Sequence, residues 1–278
     1  MSSTPHNDIK VTSTLELPSY RLAWRDLIEA GRDHQRWRRF AVLKLKSAYW
    51  RTRLGAIWLP LSFMLFIIGM SILWANITSR DINFYLPHAG YGFACFAFIS
   101  GTIAGGEQVF AANSGVIREF PLPLSFYAYA KTARDFITML LSLAVMVIID
   151  VAYIHAINVN TLLALPALVV YMVTGVLTGL LMGMLATRFR DFGQLLPTVM
   201  RAVFFFTPII WSVDKRPSRA ALANINPLYH YIEIVRAPMR GELPSLTNWA
   251  VAIGTTSLIF VLVLTFYKIG TRRIRVWL

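Results

Sequence analysis

The chain has 278 residues, 56% of them hydrophobic and only 15% charged, with a mean hydropathy of +0.55. A soluble domain carries about 25% charged residues, so a water-soluble globular fold is excluded and an all-α integral membrane protein is expected. The formal net charge of +13 would point to nucleic acid in a soluble protein; here it reads as sidedness, because cytoplasmic loops collect Lys and Arg, and no nucleic-acid partner is expected.

Residues 1–35 read as a cytoplasmic extension without an apolar h-region, so no cleavable signal peptide is expected. Within it, SYRLAWRDLIEAGRD is either an interfacial helix or a solvated stretch. Projecting 39–54 at 100° per residue places Phe40, Leu43, Trp50 and Leu54 on one face and Val42, Leu45 and Tyr49 on another. Lys44 with Arg51 and Lys46 with Arg53 fill the seams. This suits a helix at the membrane surface whose cations snorkel to phosphates. Gly55 then lets the chain turn into the bilayer.

A hydrocarbon core of about 30 Å needs ~20 helical residues. Six segments qualify as spans: 57–77, 89–106, 136–157, 162–186, 195–213 and 247–269. Gly175, Gly179 and Gly183 put a smooth stripe on the fourth, which is either a packing face or ordinary membrane glycine. The loop 107–135 is too polar to span. Asn113 or Ser114 caps a short helix there, and Pro121 and Pro123 end it. The loop 214–246 has apolar runs too short to cross, which suits re-entrant or interfacial helices. Lys and Arg fall 20 to 6 between the two sides, with Arg201 inside a span. That asymmetry puts both termini in the cytoplasm. Arg201 and Asp150 are the two intramembrane charges expected. Arg201 either snorkels to the inner surface or lines a cavity, whereas Asp150 reads as a buried, hydrogen-bonded group near a dimer interface.

Four patches in register resemble the ABC-2 type permeases of bacterial polysaccharide exporters. The first is LKLKSAYWRTRLGAIWLPL (43–61), with Tyr49, Arg51, Arg53, Leu54, Gly55 and Trp58 matching. The second is Asn113, Ile117, Arg118, Glu119, Phe120 and Pro121, which look like a coupling helix. The third is RFRDFGQLLPTVMRAVFFFTPIIW, and the fourth Asn226-Pro227-Leu228 with Glu233 and Arg236. The resemblance implies an ABC-2 domain over 36–278, with six transmembrane helices, an interfacial helix, a coupling helix and short helices before the last span. It further implies a homodimer in the inner membrane with two copies of a separate ABC ATPase. This sequence has no Gly-x-x-x-x-Gly-Lys-[Ser/Thr] phosphate loop. No cofactor is therefore expected in this chain, with ATP and Mg belonging to the partner, and no enzymatic residue.

The implied cargo is a lipid-linked polysaccharide such as O-antigen, capsule or teichoic acid. On that basis Arg51, Arg53, Leu54, Gly55 and Arg201 are expected at a lipid-diphosphate gate. Phe63, Phe66, Met70, Trp74, Phe204, Phe205, Phe206, Pro208 and Trp211 are expected to line a channel, with Arg201, Phe205, Pro208 and Ser212 on one helical face. Ile117, Phe120 and Leu122 are expected to insert into the ATPase. Three rivals remain. A polyprenyl-linked glycosyl- or phosphotransferase would want paired carboxylates for Mg²⁺, and no Asp-x-Asp occurs. A secondary transporter would show internal repeats and several intramembrane charges. An ABC-2 permease for a drug or small lipid would share the fold.

Overall fold

The computed structural model describes residues 19–50, 53–79, 81–120, 122–154, 158–189, 191–213 and 217–277; Arg51, Pro121 and Arg190 lie outside them. All regular structure among the described residues is helical. In chain order the helices are α1 Ser19–Arg32, α2 His34–Tyr49, α3 Trp58–Thr78, α4 Ile82–Ala104, α5 Ser114–Glu119, α6 Leu124–Ile149, α7 Ala164–Arg188, α8 Phe192–Phe206, α9 Pro217–Ile225, α10 Pro227–Met239 and α11 Leu246–Trp277. Four stretches are long and apolar enough to cross a bilayer: Gly55–Thr78, Leu124–Ile154, Val159–Arg188 and Leu246–Tyr267. Ile82–Ala104 forms a pair with Gln108–Glu119, bent by 83°. Phe192–Phe206, with 15 residues, reaches only ~22 Å at 1.5 Å per residue.

The amino-terminal segment is a packed helix. Ala23, Leu27 and Ala30 recur at i, i+4 and i+7, are buried, and seat α1 against α6 and α11. Small alanines allow close approach. Asp26 on the same helix accepts from the backbone N–H of Leu124 at 3.0 Å and of Ser125 at 2.7 Å. It thereby satisfies two of the orphan donors that begin α6. The solvated reading of this stretch is thus corrected.

The surface helix is shorter than the sequence projection. α2 stops at Tyr49, so Leu54 and Arg53 lie past its end. Trp37 stacks on Tyr129 at 5.5 Å, and Phe40 packs on Phe126 and Tyr127. Leu43, Trp50 and Leu54 stay exposed. Gly55 has φ of 55°, in the left-handed region that side chains disfavour. It opens the single turn Gly55–Ile57 that leads into α3.

Two cores hold the bundle. One gathers Tyr91, Cys95, Met146, Tyr171, Ile209 and Tyr231. The other gathers Leu27, Phe110, Ile117, Phe126, Leu180 and Tyr267. The glycine stripe is a packing face: a Cβ on Gly175 would stand 2.7 Å from Phe98 and from Thr132, and one on Gly183 would stand 2.8 Å from Phe110. α10 is buried against α4, α7 and α11. Tyr171 Oη donates to Tyr231 O at 2.9 Å, and Tyr231 Oη donates to Ala252 O at 2.8 Å.

Candidate functional site

Aromatic side chains form a connected path across three helices. Phe66 on α3 meets Phe93 on α4 at 4.8 Å between ring centres. Phe93 meets Phe204 on α8 at 6.0 Å, and Phe204 touches Phe96 at 5.4 Å and Phe205 at 5.5 Å. Such tilted and edge-on contacts suit the ring quadrupoles. Phe205 is 74% exposed and Phe206 61%, so the path ends on an open face of α8. Phe66 is 45% exposed at the other end.

The expected lining residues divide accordingly. Phe66, Phe205 and Phe206 are exposed, and Met70, Trp74, Phe204 and Trp211 are half-buried. Phe63 is buried in the protomer core, so it serves packing. Pro208 and Ser212 are buried as well. The single helical face joining Arg201, Phe205, Pro208 and Ser212 does not exist, because α8 ends at Phe206 and Thr207 is extended. Trp211 folds back and donates its indole N–H to Phe205 O at 3.2 Å. Arg201 is exposed and donates to Thr198 Oγ1 at 3.1 Å.

Beneath the aromatic path lies a cavity of about 500 Å³ between α4, α6 and α8. Phe93 and Phe96 form its apolar wall, and Lys131, Arg134, Asp135 and Gln108 its polar wall. Lys131 is buried; its Nζ donates to Gly101 O at 2.6 Å and to Asp135 Oδ2 at 2.5 Å. Arg134 Nη2 donates to Gln108 Oε1 at 3.0 Å and to Asp135 Oδ1 at 3.2 Å. A lysine taken out of water requires a carboxylate and further hydrogen bonds, and this cluster supplies both. Sequence reasoning missed it, having placed these residues in a loop. The signal was the Lys131/Asp135 spacing of i, i+4, which puts opposite charges on one helix face.

Two further placements bear on the expected charges. Asp150 is fully buried inside the protomer, in the π-helical turn Asp150–Ile154, beside the Tyr91 hydroxyl. Asp150 is not the only buried charged residue among those described, since Lys131 and Arg236 are buried too.

At the α5 end, Asn113 turns inward and donates from Nδ2 to Gln108 O at 3.1 Å and Val109 O at 3.0 Å. Ile117 is buried in the core around Phe110 and Leu180, so it anchors α5 from within and does not project outward. Phe120 is 55% exposed, and Arg118 and Glu119 are exposed beside it. Of the residues expected to dock, the exposed ones are therefore Phe120, Arg118 and Glu119. Arg53 is exposed at the α2–α3 junction.

A family model described as ABC-2 type transporter matches residues 40–239. The chain belongs to the ABC-2 type transporter family. A comparison with curated proteins found no match. The chain is thus a membrane-embedded subunit of an ABC exporter and a partner of an ABC ATPase. Within this ABC-2 subunit, the matched region starts inside α2 and stops at the end of α10. α1 and all of α11 lie beyond it.

Proposed function

We propose that this ABC-2 subunit forms, with a second copy of itself, the conduit through which an ATP-driven exporter moves a lipid-linked polysaccharide, of O-antigen type, across the inner membrane. The observation that carries this reading is the aromatic path from Phe66 through Phe93 and Phe204 to Phe205. Sugar rings present flat C–H faces that pack on aromatic faces without a fixed charge. A sliding polymer needs such shallow, repeated contacts, since no single deep site would release it. The chain crosses six times in this reading, with both termini cytoplasmic, and the bend after α4 makes its second crossing continuous with the docking segment. Arg53, at the α2–α3 junction, its sequence neighbour Arg51, and Arg201, on the open face of α8, meet the diphosphate of the carrier lipid.

Two ATPase copies dock on α5. Phe120 engages the ATPase groove, Arg118 and Glu119 set the register, and Ile117 passes the displacement into the core. The test is ATPase stimulation of the reconstituted complex in vesicles across a panel of lipid-linked glycans. Stimulation by polyprenyl-diphosphate-linked polysaccharide, and none by amphiphilic drugs or short lipids, is the expected result. The reverse pattern would assign the chain to small-molecule export.

A further inference from the structure

A second, roomier cavity lies at the end opposite α5, away from the aromatic path. Its volume is about 1070 Å³, at the upper limit of the ~300–1,000 Å³ usual for small-molecule sites. It opens between the start of α4, the segment after α8, α10 and the α10–α11 connection. Its rear wall is built on Arg236, which is fully buried. Arg236 donates from Nη1 to Pro208 O at 2.7 Å and from Nε to Glu233 Oε1 at 3.1 Å. His88 stands between two guanidiniums. Its Nε2 lies 3.3 Å from Arg236 Nη1 and 3.3 Å from Trp211 O, and its Nδ1 lies 3.5 Å from Arg240 Nη1. Arg240 also sits over the Phe84 ring at 5.3 Å and donates to Glu242 Oε1 at 2.9 Å. His230 is held by Asn224 O at 2.9 Å and the Asn248 side chain at 2.8 Å.

The wall is thus preorganised by side chains that hold one another. It is also charge-balanced, because Arg236 and Arg240 are each paired with a carboxylate. A phosphate would meet Glu233 and Glu242, and a cation would meet the two arginines. Among the described residues, each of these carboxylates uses only Oε1 in its ion pair, which leaves Oε2 as an acceptor. Tyr229 lines the same cavity. Burial, and then the adjacent Glu233 charge, push its phenol above the ordinary value, so it remains a hydroxyl donor. Hydroxyl groups both donate and accept and are the ligand groups that match a neutral wall of carboxylate acceptors, guanidinium donors and amides.

We infer that this cavity is a saccharide-binding site, taking a short neutral segment of two or three sugar units at the end of the chain remote from the ATPase. The inference rests on the polysaccharide reading above for the source of its ligand, and it adds a stationary site to the sliding path. The site would hold the emerging segment and so oppose backward slippage between strokes.

The test is saturation-transfer NMR on the purified full-length chain in lipid nanodiscs. The probes are maltotriose, mannotriose and chitotriose, with inorganic phosphate titrated as the anionic arm. At least one trisaccharide should receive saturation, and excess phosphate should leave it unaffected. Glu242→Gln, at the exposed rim, and Tyr229→Ala should each weaken binding about tenfold, as expected for loss of a hydrogen bond involving a charged or buried group. Unchanged helical content and monodispersity would show that both variants are folded. No transfer from any trisaccharide, transfer unaltered in both folded variants, or displacement by phosphate would each overturn the site. Complementation of surface polysaccharide in a strain lacking the chain tests the parent reading separately. Failed complementation with intact trisaccharide binding sinks the reading and leaves the site standing.

Discussion

The carboxylate of Asp26 receives the backbone N–H of Ser125 at 2.7 Å, across 99 residues of sequence. One helix thereby caps another, and the capped helix follows directly on α5, the segment proposed to dock the ATPase. Burial holds the Asp26 carboxyl above its ordinary value, although the Ser125, Tyr267 and Leu124 contacts pull it down. Asp26→Ala should destabilise the chain by about 1–2 kcal/mol, the usual cost of a lost cap, and Asp26→Asn by less. The pH sign follows from the raised value. The contribution of this group favours folding most below the unfolded carboxylate pKa of about 3.9 and is lost as pH rises through the folded value. Thermal unfolding of wild type and Asp26→Asn against pH checks this: the difference between them should grow in favour of the wild type on acidification.

The charge cluster at Lys131 should respond asymmetrically. Lys131→Met leaves Asp135 with Arg134 as its partner, whereas Asp135→Asn leaves a buried lysine without its carboxylate. Breaking a buried pair from one side costs about 3–5 kcal/mol. Asp135→Asn should approach that cost and Lys131→Met should fall well short of it. Equal loss of melting temperature in the two variants would contradict the arrangement.

The proposed docking face and its anchor should separate cleanly. Phe120→Asp should leave the chain folded and abolish copurification with the ATPase. Ile117→Asp should lower stability as well, because it puts a charge into the core around Phe110. Pull-down combined with thermal unfolding reads both quantities.

Gly55 and Gly175 should fail for different reasons. A Cβ at Gly55 meets nothing within 4 Å, so only the left-handed backbone matters. Gly55→Asn should therefore be tolerated and Gly55→Val should cost about 1–2 kcal/mol. Gly175→Val should cost about 1–3 kcal/mol from overpacking against Phe98 and Thr132. Surface-polysaccharide output and melting temperature distinguish a misrouted junction from a pried-apart bundle.

Much of this architecture is readable from the residues. Apolar runs mark the helices, Gly55 marks the turn into α3, and Phe204-Phe205-Phe206 marks the exposed aromatic end. What hydropathy hides is neutralised charge. Lys131, Arg134 and Asp135 make the start of α6 look like a loop, yet their mutual pairing lets the helix begin at Leu124, a dozen residues before the apolar run. His88 escaped notice because the apolar segment was begun one residue after it, where the hydropathy rises. α1 contributes two alanines and one leucine to its contact, too little apolar mass to register against its arginines. Ile117 points inward on a helix of six residues, too short for any period to reveal which side is buried.

α11 runs 32 residues, or ~48 Å at 1.5 Å per residue, well beyond a hydrocarbon core of about 30 Å. Its first turns border the large polar cavity through Asn248, and it also rests on α1. A rod of that length has little axial slack, so a tilt of about 5° displaces its far tip by about 4 Å. The helix therefore links the cavity end of the subunit to the α1 end along a route that does not run through α5.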